Sequence, residues 1–189
     1  MTQSRKRRVA LFFGSFNPIH KGHYEIMRYI LEHCDADEVR LIVTPKNPFG
    51  KKDLADAAER LVAARKAITA SGLPVLVSDV EFHLPEPNYT INSLEYLDRN
   101  EPDYQHILVI GADNLACLDR WYRYQDLIDN FEIWVYPREG FKLEELCDLH
   151  NSRSSKKMIM PLVGPLHNVS STEIREGEKA GRDMSHLRL

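Results

Sequence analysis

From Arg8 to Phe13 the chain reads Arg-Val-Ala-Leu-Phe-Phe and is closed by Gly14. A short apolar run without polar alternation predicts a strand covered on both faces. Between Lys21 and His33 the apolar residues Tyr24, Ile26, Met27, Ile30 and Leu31 recur at steps of three and four, which makes one face of an α-helix. The alternation continues with a strand over Val39 to Val43, a Pro-rich loop through Lys52, and a helix from about Asp56 to Ala70. Asp53 is placed to cap that helix and Gly72 to end it. Strands follow at Val75 to Val77, Ile107 to Ile110 and Phe131 to Tyr136, with a helix over Thr90 to Leu97 for which Thr90 is the expected N-cap. Strands alternating with helices, without Asn-Gly hairpin signals, predict an α/β fold. Its core is a doubly wound parallel sheet of about four or five strands with helices on both faces. Ligands of such sheets bind beyond the carboxyl ends of the strands, which directs attention to the loops after Phe13, Val43, Ile110 and Tyr136.

With 189 residues and no internal repeat or linker, one domain over 1–189 is expected, with a flexible basic terminus over about residues 1–7. Twenty-five Lys and Arg against 28 Asp and Glu give a net charge of −3. The dense basic run is confined to Arg5-Lys6-Arg7-Arg8, so the broad cationic face needed for duplex binding is missing and no nucleic-acid partner is expected. No apolar stretch approaches the roughly 20 residues that span a bilayer, and the five apolar residues before Gly14 are too few for a secretory signal. The expectation is a cytoplasmic protein without a membrane partner. Cys34, Cys117 and Cys147 are too few and too far apart for a disulfide framework or a thiolate zinc site.

The candidate chemistry lies in the loop from the first strand into the first helix, Gly14-Ser15-Phe16-Asn17-Pro18-Ile19-His20-Lys21-Gly22-His23. It is neither a Walker phosphate loop nor a dinucleotide fingerprint. Gly14 lets a ligand approach the backbone, and Gly22 lets a bulky group lie against the helix. His20 and His23, spaced i and i+3 at a helix N-terminus, share one face and suit a phosphate. A zinc pair would need a third ligand, and none is placed to help. Near the other end, the hydroxyls of Ser170, Ser171 and Thr172 can cap a helix while Arg175, one turn on, points to the same end, a second anion site.

Gly-Ser-Phe-x-Pro-x-His-x-Gly-His with intact spacing resembles the signature of the nucleotidylyltransferase superfamily, and the Ser170 to Arg175 segment resembles its second motif. The resemblance narrows to the bacterial nicotinate-nucleotide adenylyltransferases. Asn88-Tyr89-Thr90-Ile91-Asn92-Ser93-Leu94 is similar to that family's Ser-Tyr-Thr-x-x-Thr-Leu segment, with Asn88 and Ser93 as departures. Gly111-Ala112-Asp113-Asn114-Leu115 with Trp121-Tyr122 is similar to its Gly-x-Asp-x-Leu…Trp segment, and Arg138 to its basic residue after the next strand. The loop Pro45 to Lys52 departs in carrying Phe49-Gly50 where Pro-His is usual, and the family's chain runs on through a further helix beyond Leu187.

What the resemblance implies is a Rossmann-like nucleotidylyltransferase fold that moves the adenylyl group of ATP to nicotinate mononucleotide. His20, His23 and Arg175 are its expected catalytic residues. Gly14, Ser15, Phe16, Gly22, Gly111, Asp113 and Ser170 to Thr172 would bind ATP. Lys46, Thr90, Trp121, Tyr122 and Arg138 would bind the acceptor. The pyridine would stack on Trp121, with its carboxylate met by amides near Thr90 and Tyr122. Trp121, Tyr122 and Tyr124 could equally form an aromatic face packed into the core, and Asp113 could bind ribose hydroxyls or cap a helix. Mg²⁺ is the implied cofactor, held by phosphate and water with no protein ligand nominated. A homo-oligomer is compatible with the resemblance. The rival readings are an adenylyltransferase for nicotinamide mononucleotide or phosphopantetheine, and a non-catalytic adenine-nucleotide sensor on the same sheet.

Overall fold

The computed structural model describes residues 5–46, 54–164 and 169–189. Six parallel strands form one sheet: β1 (Arg7–Gly14), β2 (Glu38–Val43), β3 (Val75–Ser78), β4 (Tyr104–Gly111), β5 (Glu132–Tyr136) and β6 (Ile159–Pro161). Their order is β3-β2-β1-β4-β5-β6. The chain therefore winds outward from β1 in one direction and, after β3, returns to β4 and winds outward in the other. Phe12 pairs with both Leu41 and Val109, so β1 is the central strand and the order reverses between β1 and β4. Crevices open at such reversals because the loops leaving the two strands diverge to opposite faces.

The two-residue side-chain period divides β1 between two cores. Ala10 and Phe12 join α1 (Lys21–His33) and α2 (Ala57–Ser71) on one face. Val9 and Leu11 join α3 (Thr90–Asn100), α4 (Ala112–Leu115), α5 (Tyr124–Asn130) and α6 (Leu143–Arg153) on the other. The doubly wound sheet is as expected, but it has six strands. The segment that went unread, α6 and β6, shows its face poorly: α6 buries only Leu143, Cys147 and a histidine, His150. β6 is three residues ending in Pro161, and proline is tolerated in strands chiefly at sheet edges. The last helix, α7 (Ser171–Lys179), packs back across the carboxyl end of β1.

Two expected caps shift. Asp56, rather than Asp53, caps α2, its carboxylate accepting from the Ala58 and Glu59 amides at 2.9 and 3.3 Å; Asp53 lies outside the described residues, as do Phe49, Gly50, Lys51 and Lys52. Gly72 does end α2, in the left-handed conformation. Thr90 is the first residue of α3 and Tyr89 occupies the cap, with no side chain bonded to the first-turn amides. The basic run, expected to be loose, is held from Arg5 onward: Arg5 pairs with Asp35 and Asp37, and Arg8 with Glu132.

Candidate active site

At the carboxyl end of the sheet two cavities of about 250 and 140 Å³ open side by side. Both are bordered by Gly14, Ser15, Asn114 and Tyr136, so they form one cleft across the β1/β4 reversal. Gly14 is required there, since a Cβ would lie 2.9 Å from the Phe16 ring. Phe16 itself holds a positive φ of 44°, which turns the loop back so that its ring meets Phe12 and His23 edge-on. Behind the loop sits Arg60, only 3% exposed. Its guanidinium donates to the carbonyls of Ser15 at 2.6 Å, Thr44 at 2.9 Å, Pro45 at 2.7 Å and Ala55 at 3.0 Å. One buried cation thus pins the loops after β1 and β2 together. It falls on the apolar stripe of α2, next to Leu61 and one turn before Ala64, and a charge on such a stripe is the signal that could have found it.

The larger chamber gathers His20, His23, Asp113, Arg138, Ser170, Ser171, Thr172 and Arg175 with Ser15, Phe16 and Asn17. His20 is the N-cap of α1, and its ring stacks on His23 at 3.6 Å between centroids. The His20 backbone N–H donates to His23 Nδ1 at 3.2 Å. An Nδ1 that accepts is unprotonated, so in the neutral ring the proton sits on Nε2, making Nε2–H the donor of His23. His20 is 2% exposed, and burial, helped by the positive charge of Arg138, lowers its pKa to about 4. It is therefore a neutral imidazole at neutral pH. Arg138 lies 4.9 Å above the Tyr136 ring and 3.7 Å from the Asp113 carboxylate.

Opposite the histidines, the Ser170 hydroxyl caps α7 by accepting from Glu173 N–H at 3.1 Å. Ser171 donates to the Pro18 carbonyl at 2.9 Å, and Arg175 donates to the Asn17 carbonyl at 2.6 Å and to Thr172 Oγ1 at 3.2 Å. The C-terminal motif thus clamps the first loop. The hydroxyls of Ser170 and Ser171 are committed to protein groups, leaving anion binding to the α7 amides and the remaining N–H groups of Arg175.

The smaller chamber is lined by Thr90 and Trp121 together with Phe13, Thr44, Glu81 and Asn88. Trp121 packs its inner edge against the core beneath α3. Asn88, buried, donates from Nδ2 to the Glu81 carbonyl at 2.9 Å, fixing the turn that delivers Thr90 to the cavity. Glu81, Asn88, Thr44 and Asn114 were not expected site residues.

Several expected ligands stand elsewhere. Arg138, expected beside the acceptor, lines the histidine chamber instead, because it leaves β5 two residues after Tyr136 on that side. Lys46 is 73% exposed and paired with Glu86 at 2.8 Å. Tyr122, half exposed, stacks on Tyr89 at 4.5 Å, and Tyr124 bonds His150 at 2.7 Å within the core region. Neither Lys46 nor Tyr122 borders either chamber among the described residues, and nor does Tyr124, which was expected only in the alternative of a core-facing aromatic stretch. Gly22 is buried within α1. Gly111 serves by its smallness, since a Cβ there would strike the Asp113 carboxylate and lie 3.0 Å from the Tyr136 ring; Asp113 sits inside α4 rather than at its cap. Among the described residues no cluster of three or more His, Cys, Asp or Glu could hold a metal, and no helix is long and apolar enough to cross a membrane.

At the carboxyl end of the parallel sheet, a histidine pair and a helix N-terminus thus face one cavity and an aromatic wall faces the other, an arrangement suited to a phosphate beside a flat ring. The sequence pattern of the cytidylyltransferase-like family matches residues 11–177. Relatives named "Probable nicotinate-nucleotide adenylyltransferase" are 38% identical in Flavobacterium psychrophilum, over 95% of this chain and 91% of the relative, and 38% identical in Bacteroides fragilis, over 96% and 87%. The chain belongs to the cytidylyltransferase-like family and, within it, groups with the nicotinate-nucleotide adenylyltransferases. The Plasmodium falciparum nicotinic acid mononucleotide adenylyltransferase complexed with NaAD shares the fold, with a TM-score of 0.80 at 19% identity over 95% of this chain and 87% of that one.

Proposed function

We propose that this protein transfers the adenylyl group of ATP to nicotinate mononucleotide, releasing pyrophosphate and forming deamido-NAD, a cytoplasmic step of NAD biosynthesis. The observation that carries the reading is the pairing of a phosphate-binding chamber with an aromatic one across a single strand end. Two nucleotides laid in them from opposite sides would meet at Gly14 and Ser15.

A 5′-phosphate oxygen of the acceptor attacks the α-phosphorus of ATP in line. The new P–O bond forms as the bond to the β-phosphate bridging oxygen breaks, and pyrophosphate leaves with that electron pair. Such transfers need positioning and charge stabilisation more than a protein nucleophile. His23 Nε2–H donates to the transferring phosphoryl oxygens, and His20, neutral and stacked beneath it, holds its ring in place. Arg175 and the α7 N-terminus receive the β- and γ-phosphates, with Arg138 completing the positive wall. ATP would enter as its Mg²⁺ chelate, which would supply charge neutralisation on the departing pyrophosphate; Asp113, the one carboxylate bordering the larger chamber among the described residues, and Asn114 offer oxygens there. In the smaller chamber the pyridine stacks on Trp121, and the uncapped amides at the start of α3 meet its carboxylate.

The test is pyrophosphate release with ATP and Mg²⁺, comparing nicotinate mononucleotide, nicotinamide mononucleotide and phosphopantetheine. A preference for the first is expected. Preference for another acceptor would discard the reading of the smaller chamber, and ATP binding without turnover would replace the enzyme by a nucleotide sensor.

A further inference from the structure

Among the described residues Glu81 is the one carboxyl group bordering the smaller chamber. It sits in the single turn Val80–His83 and is 2% exposed. The Ser93 hydroxyl, from α3, donates to its Oε1 at 2.6 Å, and the Thr44 hydroxyl at the end of β2 is the other polar group that faces it. Oε2 is buried and has no hydrogen-bond partner among the described residues. The other titratable wall group is Tyr136 of β5, whose own cation, Arg138, borders the neighbouring chamber. No Lys, Arg or His borders the smaller chamber among the described residues. Arg60, the cation behind Thr44, turns its N–H groups to the carbonyls of Ser15, Thr44, Pro45 and Ala55, so among the described residues an ionised Glu81 would lie buried without an ion-pair partner, in the cavity that must admit an anionic ring substituent. Burial drives its pKa upward, outweighing the two hydroxyls. A carboxylic acid kept neutral by its surroundings is a good hydrogen-bond donor toward an anion.

We propose that Glu81 faces the acceptor as a neutral carboxylic acid whose O–H donates to the carboxylate of the pyridine ring, which makes Glu81 a residue that sets the choice between an acid and an amide at that position. The inference rests on nicotinate mononucleotide as the acceptor. An O–H bond to a carboxylate is charge-assisted and about twice as strong as one to a neutral amide oxygen. Once Glu81 ionises, the preference reverses: two carboxylates repel, whereas an amide can donate an N–H to the Glu81 oxygen.

The experiment measures kcat/KM for nicotinate and nicotinamide mononucleotides from mildly acidic to alkaline pH, in the wild type and in Glu81→Gln. Taking the ratio cancels ionisations common to both acceptors, such as that of the 5′-phosphate. In the wild type the acid-to-amide ratio should fall by about tenfold or more as pH rises. In Glu81→Gln, which retains the bond to Ser93 and cannot ionise, the ratio should stay flat. A flat ratio in the wild type overturns the proposal whether or not the variant folds, as does a decline that persists unchanged in a folded Glu81→Gln. Turnover of neither acceptor overturns the functional reading itself, and this inference with it.

Discussion

On one side of Gly14 and Ser15 the cleft holds two imidazoles and two guanidiniums; on the other, among the described residues, it holds one carboxyl amid rings, hydroxyls and amides. The first side is built for an anion by fixed donors. Its cations are already tied to carbonyls, to a carboxylate or over a ring, so binding phosphate costs little rearrangement. The second side is built for a flat ring, and it discriminates by what its few polar groups leave unsatisfied. In the proposed reaction, positioning falls to the transferring phosphate and selectivity to the acceptor. The histidine chamber should therefore govern turnover and the aromatic chamber should govern acceptor KM.

The largest expected effect breaks the comparison at the first chamber. His23→Ala removes the Nε2–H donor and should lower kcat by on the order of 10²–10³ while ATP affinity, measured by calorimetry, changes little. A folded variant with unimpaired kcat would remove His23 from the reaction. Next comes the brace common to both sides. Arg60→Met deletes a charged donor to four carbonyls and should cost on the order of 3 kcal/mol in a denaturant titration. Both KM values should rise together, because the loops after β1 and β2 border both chambers; a rise in only one would show that the chambers are held independently.

Protonation sharpens the contrast in a measurement without substrate. The pKa of His20 lies at about 4 in the folded protein against an ordinary 6.5. Between those values the unfolded chain binds a proton that the folded chain refuses, so stability is complete above the unfolded pKa and falls as pH drops toward the folded one. The loss should approach about 3 kcal/mol at the acid end, and it should be missing from the pH dependence of His20→Asn. Glu81, with its folded pKa raised, acts in the opposite sense: its contribution is largest at low pH and is lost as pH rises through the folded value.

These two chambers were unequally legible in the sequence. The phosphate side is written in one contiguous loop and one capped helix, where spacing alone places His20 beside His23 and Ser170 at its cap. The acceptor side is assembled from the ends of β1, β2 and β4 and from the segments around Glu81, Asn88 and Trp121, which are brought together by sheet order rather than by spacing. Thr90 and Trp121, which border the smaller chamber, lie in recognisable segments. Glu81 was missed because its neighbours Val80 and Phe82 give no sign that a single turn buries the carboxylate. That Arg138 borders the histidine chamber, and Lys46 and Tyr122 neither chamber among the described residues, has a related reason: a residue's position in a loop does not fix the side to which its strand delivers it. Within the fold, β1 and α1 were read closely because each carries an unbroken apolar pattern, whereas α6 and β6 present too little of one.

The smallest effect tests whether the aromatic wall is a binding surface or an extension of the core. Trp121 has a claim to both, since it borders the smaller chamber and also packs against the cluster beneath α3. If the pyridine stacks on it, Trp121→Ala should raise the acceptor KM about tenfold, the worth of one good stacking contact plus its buried area. The KM for ATP should then hardly change, and Trp121→Phe, which keeps a ring face, should recover much of the loss. Packing predicts another pattern. A cavity under α3 would loosen Thr90 and the loop from β1 together, so both KM values would rise and the melting temperature would fall in step with them. Steady-state kinetics with each substrate varied in turn, set beside thermal unfolding of the same two variants, separates these outcomes.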